Sequence, residues 1–186
     1  MKEISFFAGE LALALVWIAV RIAAWLRQRR IDWKRELLLL LMYVNLAVIL
    51  RVAFYPMARL NGKVQPLLFD PGAVWPFRLN PVPLVNLLDY ASRRDLLLNI
   101  LGNVGLFVPS GIILPILYKR LDRFWKVLAA GAGMSLCIEL LQLPFAVRAS
   151  DVDDLLLNSL GVALGYGIYA LCTLRKKKGV SADERT

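Results

Sequence analysis

Apolar positions in this chain fall into five long runs, near residues 4–26, 37–55, 96–118, 127–145 and 155–174. Each approaches the ~20 residues that carry an α-helix across the ~30 Å hydrocarbon core of a bilayer. The pattern predicts an all-α fold, a polytopic transmembrane helical bundle of about five spans. The polar breaks set its orientation. The first, "RQRRIDWKRE", the third, "KRLDRFW", and the tail, "RKKK", are densely basic. Basic loops stay in the cytoplasm, so the N-terminus is expected outside and the C-terminus inside. Trp25, Trp33 and Trp125 then fall at the inner interface, and Arg21 and Arg51, near span ends, are expected to snorkel to water.

The second break is different. Residues 56–95 mix six prolines with Phe69, Trp75, Phe77 and Tyr90. That composition suggests an ordered cap or re-entrant piece at the outer interface. The organisation that follows is a first span with its basic loop (1–36), a main membrane domain (37–174) and a cytoplasmic basic and polar tail (175–186).

Composition supports a membrane assignment. Of 186 residues 59% are hydrophobic, mean hydropathy is +0.59 and net charge is +9, against ~45–50% apolar in soluble domains. The basic residues cluster at span ends, as topology requires, so the charge does not indicate nucleic acid. The first run is too long for a cleaved leader and lacks a small-residue cleavage site. Cys137 and Cys172 lie in different runs and are expected as small core residues without a disulfide. The chain has no histidine, which excludes a typical zinc site and a histidine general base.

The orientation gathers the unusual polar residues at one depth, the outer leaflet. Glu139 and Gln142 end the fourth run, Arg148, Asp151, Asp153 and Asp154 occupy the break, and Asn158 opens the fifth. Asn99 and Asn103 lie in the outer half of the third, and Asn80 and Asn86 in the long outer segment. Spacings of three or four put Asn99 with Asn103, Glu139 with Gln142, and Asp154 with Asn158 on shared helix faces. Polar groups inside spans face the bundle interior or a wet cavity and mark functional sites by default. An outward-facing polar pocket is the expected result.

Local roles compete with that expectation. Ser150 could cap the fifth helix, with Asp153 completing a capping-box-like pair. Glu139 could pair with Arg148. The asparagines could be interhelical hydrogen-bonding groups, worth ~0.6–2 kcal/mol each. Gly102 and Gly105 around Asn103, and Gly161 and Gly165 after Asn158, would let helix backbones approach. Pro109 and Pro115 would interrupt the ladder of the third helix.

The chemistry on offer is broad. Carboxylates with amide oxygens suit Mg2+ or Ca2+, and Arg148 suits a bidentate phosphate or carboxylate. Glu139, Asp151 and Asp154 are the catalytic candidates. Asn80, Asn99, Asn103, Gln142, Arg148 and Asn158 are the binding candidates. No Ser-His-Asp set, CxxC pair, phosphate loop or dinucleotide fingerprint is present, so whether the chain is an enzyme stays open.

Three blocks of sequence carry a resemblance. "LNPVPL" resembles an Asn-x-x-Pro element through Asn80 and Pro83. "NILGNVGLFVPSGIILP" resembles an Asn-x-x-Gly-Asn signature through Asn99, Gly102, Asn103, Phe107, Pro109 and Gly111. "IELLQ", Arg148 and "DVDDLLLNSLGVALGY" resemble a third block through Glu139, Gln142, Asp151, Asp154, Asn158, Gly161 and Gly165. Together the chain resembles the VanZ-like family of bacterial membrane proteins, associated with resistance to glycopeptides such as lipid-tailed teicoplanin. Proline 81 and Leu84 depart from the usual pattern of the first block. The resemblance implies a multi-pass protein of the bacterial cytoplasmic membrane that protects the envelope. Its implied partners are membrane lipids and a lipid-linked cell-wall precursor or lipoglycopeptide. The alternatives are an enzyme of lipid or wall-precursor metabolism and a non-catalytic scaffold.

Overall fold

The computed structural model describes residues 2–28, 31–55, 59–60, 62–75, 79–80, 82–84, 92–145 and 150–183. Five helices dominate: α1 (Phe6–Gln28), α2 (Trp33–Phe54), α3 (Arg93–Leu117), α4 (Phe124–Gln142) and α5 (Val152–Asp183). All five are long and apolar enough to cross a membrane, α5 over Val152–Leu174. The shortest, α4 with 19 residues, reaches about 28 Å at 1.5 Å per residue.

The starts of α2 and α3 precede the apolar runs because capping, not hydropathy, sets them. The Asp32 carboxylate accepts from the Lys34 and Arg35 N–H groups, so α2 begins at Trp33. The Ser92 hydroxyl accepts from the Arg94 N–H and opens α3. α5 begins at Val152, directly after the strand at Ser150–Asp151. It stays helical to Asp183, through the residues expected as a tail. α3 likewise runs through Pro109 and Pro115.

Short strands accompany the helices: β1 (Lys2–Ile4), β2 (Arg59–Leu60), β3 (Lys63–Val64), β4 (Leu67–Phe69), β5 (Leu79–Asn80) and β6 (Ser150–Asp151). By contacts the chain forms two units, Met1–Pro83 with Leu136–Val152, and Leu84–Ser135 with Asp153–Thr186.

In the first unit, β1 pairs antiparallel with β4, β2 with β3, and β5 runs parallel to β6. Its core is Phe54, Tyr55 and Leu67, packed by Ile4, Phe6 and Phe145 among others. The Phe145 ring meets Phe54 and Phe69 edge-on, each at 5.8 Å between centroids. The Tyr55 hydroxyl donates to the Ser5 carbonyl at 3.2 Å, and Gly9 leaves room for that phenol. Both span-end arginines meet protein partners. Arg21 pairs with Glu36, and Arg51 donates to the Tyr55 carbonyl at 2.9 Å over the Phe6 ring.

The second unit packs α3 against α5 through glycine. A Cβ on Gly161 would collide with the Val104 carbonyl oxygen, and one on Gly165 with that of Val108. Phe107, Ser110, Val127 and Val162 are fully buried around this contact. Gly102 and Gly105, expected to share that role, face open space. Close approach therefore runs through Gly111, Gly161 and Gly165. Cys137 and Cys172 are free but exposed, not core residues.

Candidate functional site

The polar residues of the first unit tie chain segments together. Gln142, 5% exposed, donates from Nε2 to the Ala53 carbonyl at 2.8 Å. That carbonyl is one of the last in α2, where no intrahelical partner remains. Glu139, 3% exposed, accepts the Asp151 N–H at Oε2, 2.9 Å away. Asp151 in turn stands opposite Asn80 in the parallel β5–β6 pair. A buried carboxylate at the end of α4 thus fixes the strand that leads into α5, and that strand fixes β5. The Asn80 Nδ2 atom is buried without a partner.

In the second unit the residues divide into two kinds. Asn158, 4% exposed, donates from Nδ2 to the Ser135 hydroxyl at 2.9 Å, joining α5 to α4. Its Oδ1 is buried without a partner. Asn103 Nδ2 donates to Asp154 Oδ1 at 2.7 Å and more distantly to Asn99 Oδ1 at 3.4 Å. These three residues are only half-buried. An amide offers two donors and an acceptor with two lone pairs. Among the described residues the Asn99 Nδ2 and Asn103 Oδ1 groups therefore keep unused capacity.

Asp153 is buried, at 2% exposure. Its Oδ1 accepts the Leu84 N–H at 2.6 Å. Leu84 adopts φ +69, a left-handed conformation uncommon for a bulky residue. Asp153 and Asp154 both lie in the first turn of α5, where the helix dipole favours carboxylates.

Arg148 and Asn86 lie outside the described residues. Among those described, no three acidic or thiol groups gather closely enough to hold a metal ion. The Mg2+ or Ca2+ expectation finds no such cluster among the described residues. Residues missed from sequence include Ser135, Asn45 and Glu36. Ser135 lies four residues before Glu139, a spacing that would have flagged it. Asn45 is a buried amide in the middle of α2, at 7% exposure, and its position alone was a signal.

Comparison with known proteins now decides the family. Residues 37–173 match the family model described as VanZ/LLP1. The chain belongs to the VanZ/LLP1 family. A relative is Protein VanZ of Enterococcus faecium, 34% identical over 71 residues, which are 38% of this chain and 44% of that protein. The alignment thus spans less than half of that relative's length. No solved structure matches the chain. Every described site residue lies inside the VanZ/LLP1 match, whereas α1 and Glu36 lie before it.

Proposed function

We propose that this multi-pass membrane protein contributes to resistance against teicoplanin-type glycopeptides by binding an envelope component at the outer leaflet. The polar head of that component is held by Asn99, Asn103 and Asp154. One observation carries the reading. These three side chains hydrogen-bond to one another inside membrane-spanning helices yet remain half-buried. Polar side chains that only join helices are expected to look like Asn158 and Ser135, buried at 4% and 0% exposure. A polar group left partly open in a span is expensive unless water or a ligand meets it. Family membership supports the envelope role, and the resemblance to glycopeptide-resistance proteins supports the antibiotic class.

Asn99→Ala and Asp154→Asn are expected to bring the teicoplanin susceptibility of expressing cells back to that of cells carrying an empty vector. Protein abundance and thermal stability should stay within the wild-type range. If both variants accumulate normally and still protect fully, the trio does not hold the protective ligand. Binding is favoured over chemistry because Glu139, the most buried catalytic candidate, is engaged with the Asp151 N–H.

A further inference from the structure

α1 and α2 carry an ion pair that the asparagine cluster does not use. Arg21 Nε donates to Glu36 Oε2 at 3.0 Å, and Nη2 donates to Oε1, with side chains 13% and 15% exposed. A groove of about 210 Å3 opens beside the pair, walled by Ile18 and Ile22 of α1 and Leu39 and Leu40 of α2. Trp17 and Trp25 also line it, and the guanidinium carbon lies 5.9 Å from the Trp25 ring centroid.

Three features identify what fits. The volume is below the ~300–1,000 Å3 of pockets that enclose a drug-sized ligand, so it suits part of one chain. The walls are almost wholly apolar, so that part is hydrocarbon. The two charges cancel, so a phosphate gains nothing from Arg21 that Glu36 does not oppose. Two of the five guanidinium N–H groups serve Glu36, and those remaining suit a neutral acceptor. Depth agrees with this. Glu36 is three residues into α2 and Arg21 seven residues from the end of α1. The pair therefore lies roughly 5–10 Å along the spans from that membrane surface, where the head-group layer gives way to hydrocarbon. A neutral acceptor attached to an alkyl chain at that level is an ester carbonyl.

We propose that this groove binds one acyl chain of a diacyl phospholipid, with Arg21 donating to the adjoining ester carbonyl. No residue lining the groove belongs to the Asn99–Asn103–Asp154 cluster, so the site is independent of the envelope reading.

The test is native mass spectrometry of the full chain in detergent, delipidated and titrated with diacyl phosphatidylcholine. A matched diether lipid, which lacks the carbonyl, is titrated in parallel. One retained diacyl lipid per chain is expected, with the diether about tenfold weaker, the loss of one hydrogen bond from a charged donor. Ile18→Trp and Leu40→Trp fill the groove from half-exposed positions (51% and 52%) and leave the ion pair intact. Both should abolish retention. Equal retention by these variants and the wild type overturns the site. Equal affinity for the two lipids overturns the role given to Arg21.

Discussion

Gly165→Ala tests the closest helix contact in the second unit. A Cβ at this position would meet the Val108 carbonyl oxygen and lie 2.9 Å from the Gly111 Cα and 3.1 Å from its carbonyl carbon. All three neighbours are backbone, so no side-chain rotation can relieve the clash. Overpacking costs ~1–3 kcal/mol in general, and a rigid backbone neighbour puts this case at ~2–3 kcal/mol on that scale. Alanine recovers ~0.8–1 kcal/mol of helix propensity over glycine. The net effect is a destabilisation of about 1–2 kcal/mol. Gly167, two residues later on α5, has nothing within 4 Å of an added Cβ. Gly167→Ala should therefore stabilise by ~0.8–1 kcal/mol through propensity alone. Unfolding in mixed micelles of rising dodecyl sulfate fraction, followed by circular dichroism, measures both. The two variants should shift stability in opposite directions. If Gly165→Ala proves as stable as Gly167→Ala, α3 and α5 do not approach through this glycine.

The remaining predictions concern polar contacts. Arg21→Leu leaves the Glu36 carboxylate unpaired and should destabilise by ~3–5 kcal/mol, whereas Arg21→Leu with Glu36→Leu should return near the wild type; equal losses in the single and double variants would remove the ion pair from the account. Asp153→Ala should cost about 1.5–3 kcal/mol by stripping the Leu84 N–H of its charged acceptor. Leu84→Gly, in the same unfolding assay, should be neutral or stabilising, since glycine adopts positive φ without penalty. Asn158→Leu should be tolerated better than Ser135→Ala, because Leu removes the orphaned Oδ1 together with the donor, while Ser135→Ala strands a whole buried amide; the reverse order of melting temperatures would argue that Asn158 Oδ1 has a partner.

The five spans were legible because membrane insertion depends on length and hydropathy, which are local properties. Their starts were less legible. Asp32 and Ser92 set α2 and α3 with short side chains reaching two or three residues forward, and hydropathy does not register that. The pairing of Asn99 with Asn103 followed from helical spacing, and the structure keeps it. Asp154 joining them across 51 residues did not follow, because it depends on how α5 packs on α3. For the same reason the contact of Asp153 with Leu84 did not follow. The spacing of Asp153 from Ser150 is local, whereas the Leu84 N–H that it accepts lies 69 residues away. The glycines show the limit most clearly. Gly102, Gly105, Gly161 and Gly165 are alike in sequence, yet only the latter two face another backbone.

The Arg21–Glu36 pair bears on how α1 belongs to this protein. The family match begins at residue 37, one position after Glu36. A carboxylate at the start of a spanning helix, 15% exposed, is costly unless neutralised. Its counter-charge sits on α1, a helix with no buried residue of its own. Apolar packing therefore contributes little to docking α1, since its faces are as compatible with lipid as with protein. Directional contacts remain at its two ends: the β1–β4 pairing and the Tyr55–Ser5 hydrogen bond at one, and the ion pair at the other. Between lipid-compatible helices, polar contacts of this kind supply the specificity that hydrophobic burial cannot. Glu36 and Arg21 consequently act as one unit. An α1 without Arg21 would lose one of its directional contacts with α2, and an α2 with Glu36 but without α1 would leave that carboxylate unpaired.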